Sequence, residues 1–229
     1  EFDVMVLAGD ISSGINSVLF AKYIAKDKPV VIVPGNHEYY GRDMRELDAD
    51  LLAKVNSEGF ENVHLLNPGV VEIDDVKFIG GTLWTDFHLD GYVDYSFYDY
   101  SRAISDFNVI RFGERVFSPQ DSYNRFISEK LFIEAKLREQ TDNKKVVVTH
   151  FLPSPECIIP FYQGNSLNPY FCNDLDGVIN EHSPELWIYG HTHSKLDKIH
   201  SNGKTRLLCN PRGYPKENKD YFKWKVVEI

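Results

Sequence analysis

The sequence has little from which to build a disulfide framework or a structural zinc knuckle. Its three cysteines, Cys157, Cys172 and Cys209, are odd in number and none belongs to a CxxC pair, the pattern of reduced thiols in a cytoplasm. No apolar run is long enough to span a bilayer, so no membrane association is expected. No cluster of lysine and arginine stands out and the formal net charge is −9, which argues against an electrostatic grip on a long nucleic acid, although a metal centre could still attract a small anion locally. Internal repeats and low-complexity segments are missing too. What is present is a globular composition, 42% hydrophobic and 26% charged, in a chain of 229 residues, long enough for one large α/β domain over residues 1–229.

The first apolar run, Val4 to Leu7, stops at Ala8, Gly9 and Asp10, a buried strand emptying into a turn. Residues 14–26 place Ile15, Val18, Leu19 and Tyr23 at helical spacing, and residues 29–33 (PVVIV) form a second continuous apolar strand. A second amphipathic helix is predicted over residues 42–57, with Leu47, Leu51, Leu52 and Val55 on its inner side. Short strands are expected at 63–66, 70–73 and 76–79, the last two separated by an Asp74-Asp75 turn. Residues 86–117 carry no clear period. Tyr92, Tyr95, Phe97, Tyr98 and Tyr100 crowd one part of them, and a cover for a surface loop is the expectation, with stacking on a substrate as the rival. Ser118-Pro119-Gln120-Asp121 opens a helix with a capping residue, a proline at the first helical position and an acid at the third. Tyr123, Ile127, Leu131 and Ala135 then recur four apart, to a helix end near residue 140. The remainder reads as a strand at 145–149, a long loop at 151–173, a short helix at 175–181, a strand at 186–189, and C-terminal strands with turns at Asn202-Gly203 and Arg212-Gly213.

Four apolar runs end in polar residues able to bind metal: LAGD at 7–10, VPGNHE at 33–38, VTH at 148–150 and YGHTH at 189–193. In α/β sheets ligands gather at the carboxyl ends of strands, where side chains converge on one crevice above a rigid support. A lone histidine in such a place is usually a hydrogen-bonded core or rim residue, and a glycine before it can simply mark a turn. Four such endings in one chain make separate explanations strained. Asp10, Asn36, His150, His191 and His193 offer oxygen and nitrogen donors that suit manganese, iron or zinc, and the absence of cysteine argues against structural zinc.

Gly9-Asp10, Gly35-Asn36-His37-Glu38, His150 and Gly190-His191-Thr192-His193 stand in the order of a known pattern, and on them the sequence resembles the calcineurin-like metallophosphoesterases from residue 1 to about 215. The resemblance implies a four-layer α-β-β-α sandwich, two mixed β-sheets flanked by helices, that hydrolyses a phosphomonoester or phosphodiester of a small molecule through two divalent metal ions (Mn, Fe or Zn). It assigns Asp10 as the bridging carboxylate, with Asn36, His150 and His191 completing one site, and His193 with Asp10 contributing to the other. His37 resembles the family's catalytic histidine, which donates a proton to the leaving oxygen, and Glu38 either orients that ring or caps the helix that follows. The family's D-x-H motif, which lies on a strand before the G-D strand, is absent, and the chain starts without methionine in what reads as a strand. A fragment lacking its first strand is therefore expected, with one well-formed metal site and one crippled one. Trp84 and Asp86 in GTLWTDF, and Asn210 and Arg212 in NPRGYP, are weaker candidates for the pocket wall and phosphate contact, with rim packing and a plain turn as their alternatives. His88 is expected at the surface. Phe151 stands where many relatives have a second histidine. The rival class is a catalytically weak phosphoesterase fold kept as a binding scaffold.

Overall fold

The computed structural model describes residues 2–89, 96–214, 217–218 and 224–229; Glu1, Tyr92, Tyr95 and Pro215 of the readings above lie outside them. The chain starts with β1 (Met5–Ala8), α1 (Asn16–Ala25), β2 (Val30–Val33), α2 (Met44–Val55) and β3 (Val63–Leu65). These three strands form one parallel sheet in the order β1-β2-β3, with Met5 opposite Val30 and Ala8 opposite Val33. All four residues of β2 are buried, as a continuous apolar run covered on both faces requires.

The second sheet is assembled from β4 (Gly69–Ile73) and β5 (Val76–Gly81), then β8 (Lys144–Thr149), β9 (Leu186–Ile188), β10 (Leu196–Ile199) and β11 (Arg206–Cys209), in the order β10-β11-β9-β8-β5-β4. β5, β8, β9 and β11 run parallel and the two edge strands are antiparallel. Between β5 and β8 come α3 (Phe97–Ala103), α4 (Asp106–Val109), a small ribbon of β6 (Arg111–Phe112) and β7 (Arg115–Val116), and the long α5 (Pro119–Arg138). Two short helices, α6 (Asn168–Phe171) and α7 (Asp176–His182), precede β9.

Alternation along the strands sorts the core into layers. Val31 and Val33 of the first sheet meet Phe78, Val146, Val148, Leu186 and Leu208 of the second in a buried inter-sheet cluster. The opposite faces, Met5, Leu7 and Ile32 on one sheet and Ile79, Val147, Trp187 and Leu207 on the other, belong to the cluster that takes in the helices. The result is the four-layer arrangement, with the smaller sheet wholly parallel among the described residues and the larger one mixed.

Helix positions agree with their sequence signals, but helix faces do not always. Ser118 caps α5 with Asp121 reciprocating and Pro119 in the first turn, as the sequence signature requires. The stripe Tyr123, Ile127 and Leu131 nevertheless points outward, and Ser122, Phe126, Glu129, Ile133 and Leu137 are buried. Glu129 shares this inner face with Phe126, Ile133 and Leu137. Its Oε2 accepts the Trp84 N–H, 3.2 Å away, so a polar side chain inside the helix is drawn inward by an otherwise unpaired amide. In α1 the buried side holds Ser17, Val18, Ala21 and Ala25, while Leu19 and Tyr23 are exposed, because small residues let the helix approach the sheet closely. In α2, Leu47 and Leu51 are buried and Leu52 is exposed. Nor is the described part of the aromatic stretch a surface loop. Phe97, Tyr98 and Tyr100 belong to α3, where Tyr100 is fully buried against Phe87, and Phe97 packs on Phe87 and Tyr123. His88 is exposed, as expected.

The inward phase of α5 makes Ile133→Ala costly by roughly 2–5 kcal/mol and Leu131→Ser nearly neutral, within about 0.5 kcal/mol. Urea unfolding of the two variants measures this, and equal costs would reject the assigned face. Burial pushes the Glu129 carboxyl up to about 7, against the attraction of Arg125 and with Asp48 also nearby. A folded-state value above the unfolded one means that this contribution to stability is complete below about pH 4.5 and is lost as pH rises through 7, on the order of 3 kcal/mol in all. Glu129→Gln should therefore flatten the fall in unfolding free energy between pH 5 and 8 by about that amount; an unchanged slope would exclude Glu129 as its source.

Candidate metal centre

The motif residues lie just beyond strand ends. Asp10 follows β1, Asn36 follows β2, His150 directly follows β8 and His191 follows β9, so each sheet supplies two of them. Glycines let the loops touch. A Cβ on Gly9 would lie 2.3 Å from His150 Nδ1, and one on Gly35 only 2.2 Å from Asp10 Oδ1.

Hydrogen bonding fixes the chemistry of the cluster. His150 is fully buried, and its Nδ1–H donates to the Ala8 carbonyl at 2.8 Å, which turns the Nε2 lone pair into the crevice. Facing that nitrogen are Asn36 Oδ1 at 3.1 Å, His191 Nδ1 at 3.2 Å and Asp10 Oδ2 at 3.4 Å. Asn36 spends an amide hydrogen on Asp106 Oδ1 at 3.0 Å, so only its oxygen is turned inward. His191 has a second nitrogen, Nε2, buried without a hydrogen-bond partner among the described residues. His150 Nε2, Asn36 Oδ1 and Asp10 Oδ2 thus converge as acceptors with at most one proton, that of the His191 ring, to share, and the gap suits a cation. Burial disfavours the charged imidazolium of His150, but Asp10 outweighs it and raises the histidine. Burial opposes ionisation of Asp10 as well, yet the imidazoles of His150, His37 and His191 hold it well below the carboxylate range. Burial and the neighbouring His150 lower His191. Spacings of 3.1–3.4 Å from His150 Nε2 to the other three suit atoms that could share one ion at about 2.0–2.2 Å, and the mixed oxygen and nitrogen set suits manganese, iron or zinc.

A second cluster, Glu156, Asp176 and His200, offers a control. There His200 Nδ1 accepts the Asn202 N–H at 3.1 Å, leaving Nε2–H to donate to Asp176 Oδ1 at 3.1 Å. Lys198 neutralises Glu156. One proton on the ring satisfies every partner, so this group reads as a structural knot between α7 and the β10-β11 hairpin.

His37 sits at the rim. Its backbone N–H donates to Asp10 Oδ1 at 3.0 Å, and its ring stacks on Tyr40 with centroids 4.3 Å apart. Glu38 neither orients that ring nor caps a helix. Its buried carboxylate accepts the backbone N–H groups of Asp10 (2.9 Å), Ile11 (2.7 Å), Ser12 (3.2 Å) and Gly35 (2.7 Å), tying the two motif loops together. Both burial and Asp10 push Glu38 up.

His193 stands apart from the convergent group. Its Nδ1 is 2.7 Å from Glu217 Oε2, Tyr214 meets its ring edge-on, and Asn218 donates to its carbonyl at 2.8 Å. Asn210 and Arg212 lie on this same segment, which Asn218 also ties down through the Pro211 carbonyl. Trp84 is fully buried among Tyr39, Phe117 and Phe151, which makes it core beneath the crevice and not pocket wall. Asp86 closes a local turn on the His88 N–H at 2.9 Å, and burial raises its carboxyl.

The motifs did not disclose the residues around the donors. Phe151 and Phe171 cover His191 at 4.2 and 4.8 Å between ring centroids, and Tyr170 meets it edge-on. Asp106, buried in α4, gathers Asn36, Tyr40 and Tyr170. Burial pushes it up, opposed by those three donors. The aromatic crowding of residues 151–173 was a usable signal for the covering rings; nothing in the sequence marked Asp106.

Among known proteins, an uncharacterized protein of Acanthamoeba polyphaga mimivirus is 27% identical over 244 residues, spanning 98% of this chain and 83% of its own. The crystal structure of a phosphopantetheinyl hydrolase from Mycobacterium tuberculosis superposes with a TM-score of 0.68 at 20% identity, covering 94% of this chain and 80% of that one. No helix among the described residues is long and apolar enough to cross a membrane. Residues 1–195 match the calcineurin-like phosphoesterase family model, and with the strand-end donors in place the chain belongs to that family.

Proposed function

We propose that the protein hydrolyses a phosphate ester of a small molecule, using a divalent cation held by Asp10, Asn36, His150 and His191 and a proton from His37. The convergence of Asp10 Oδ2, Asn36 Oδ1 and His191 Nδ1 on the inward-turned His150 Nε2 carries this reading. A bound cation supplies Lewis-acid polarisation of the phosphoryl group and offsets its negative charge. Asp10 is about a quarter exposed, at 26%, and faces a ligand from outside, whereas His150 is sealed behind it. His37 is free of the donor cluster and placed to give a proton to a leaving oxygen, with Tyr40 stacked beneath its ring. The structural neighbour's name, a phosphopantetheinyl hydrolase, supports a phosphoester bond as the target; monoester against diester, and manganese against iron or zinc, are choices for assay. The contact of His193 Nδ1 with Glu217 Oε2 supports the second reading, a weakly catalytic binding module in which a second cation is poorly held.

With Mn²⁺, the protein should hydrolyse p-nitrophenyl phosphate or its bis ester, and chelation should abolish this. Asp10→Asn and His150→Ala should lose both metal and activity. His37→Ala should keep Mn²⁺ affinity and lower kcat by about 10²–10⁴. Because Asp10 raises the buried His150, a proton competes with Mn²⁺ for Nε2, so Mn²⁺ uptake should release protons as the pH is lowered, and affinity should fall in the same direction. Isothermal titration in buffers of different ionisation heat measures that release. Activity indifferent to both chelator and His37→Ala would sink the hydrolase reading, and Mn²⁺ binding without turnover of either ester would favour the binding module.

A further inference from the structure

We propose that Asp106 is a positioning residue of this centre: its carboxylate fixes the Asn36 amide with Oδ1 toward the cation, and through Tyr40 it holds the surface on which His37 rests. The inference rests on reading Asn36 as a ligand.

Asp106 is 1% exposed and opens α4, in the segment between β5 and β8 that bears none of the motifs. Its Oδ1 accepts from Asn36 Nδ2 at 3.0 Å and from Tyr40 Oη at 2.7 Å, and its Oδ2 accepts from Tyr170 Oη. An asparagine amide is nearly symmetric in shape, so packing alone does not select which end faces a ligand. A carboxylate, having only lone pairs, does select. It can bind the NH₂ end alone, which leaves Oδ1 facing His150 Nε2 at 3.1 Å. Reversal would set two oxygens against each other in the interior and turn N–H groups toward the cation, both unfavourable. The same carboxylate oxygen anchors the Tyr40 hydroxyl, and the Tyr40 ring lies against His37 with an interplanar angle of 17°. Ligand and proton donor therefore share one anchor.

Asp106→Leu keeps the volume and removes the choice. Mn²⁺ affinity, measured by titration calorimetry or by EPR of free Mn²⁺, should weaken about tenfold or more, while Asp106→Asn, whose amide oxygen can still accept from Asn36 and Tyr40 but whose NH₂ end no longer enforces the choice, should recover part of that loss. Rescue by the asparagine variant separates positioning from bulk stability, which is followed in parallel by thermal unfolding. Should the leucine variant fail to fold, Asp106→Ser, which leaves a hydroxyl for the tyrosines but is too short to reach Asn36, carries the same expectation. In an Asn36→Ala background the Asp106 substitution should add little further loss of Mn²⁺ affinity. A folded leucine or serine variant that binds Mn²⁺ like wild type overturns the inference, as does an asparagine variant no better than the leucine one. Since the readout is Mn²⁺ binding, a wild-type protein that binds Mn²⁺ but hydrolyses neither ester refutes the hydrolase reading and leaves this test decisive. An Asn36→Ala variant with unchanged Mn²⁺ affinity removes the ligand assignment and the inference with it.

Discussion

The buried carboxylate of Glu38 is the interaction on which the site depends. Four backbone N–H groups from two loops end on it, three from residues 10–12 and one from Gly35. Loop amides carried into the interior without partners would each cost roughly 1–3 kcal/mol, and one anion answers all four. The same bonds hold Asp10 at φ 56°, a left-handed backbone that a residue with a Cβ adopts only at some cost. That turn aims the Asp10 side chain into the crevice. Glu38 therefore acts on the chemistry without touching it, and the negative charge buried beneath Asp10 adds to the field that draws a proton or a cation to the imidazoles above.

The two faces of the cluster differ in dielectric. On the inner side, Phe151, Phe171 and Tyr170 close around His191, and His150 has no exposure at all. On this buried side His150 Nε2 and His191 Nδ1 face each other and Asn36 Oδ1, with Asp10 Oδ2 closing the group from the outer side. On the outer side Asp10 is partly open and His37 sits at the rim. Such an asymmetry gives fixed nitrogen donors in a buried floor and a charged, reachable wall above, so an anion would reach a cation held there from the side of Asp10 and His37.

Much of this was legible in the sequence because strand ends announce themselves. Apolar runs ending in LAGD, GNHE, VTH and GHTH place chemistry at the carboxyl ends of parallel strands, and the structure brings Asp10, Asn36, His150 and His191 together there. Helix caps were equally legible, since Ser118 and Asp121 act within one turn. Helix faces were not. Tyr123, Ile127 and Leu131 have the period of a buried stripe yet face outward, while Phe126, Ile133 and Leu137 take the inner side together with Glu129, which meets the distant amide of Trp84. His193 was matched to a motif, but its partner Glu217 lies on a tail whose return to the site has no local signature. Asp106 was illegible for the same reason, lying 70 residues from the asparagine it binds.

The distribution of the donors over the fold has an energetic consequence. Asp10 and Asn36 belong to the three-stranded sheet, His150 and His191 to the six-stranded one, and the two sheets otherwise meet through Val31, Val33, Phe78, Val146, Val148 and Leu208. A cation on all four groups spans the two sheets. Its binding free energy then adds to the cohesion of the inter-sheet layer, by roughly 2.7 kcal/mol at a hundred times its dissociation constant. Conversely, any loosening of that layer spreads the donors and weakens the ion. Packing in the middle of the sandwich and chemistry at its edge are two ends of one linkage, which is why the motif loops carry glycines at the points of closest approach: Gly9 and Gly35 let the sheets come near enough for one ion to reach both.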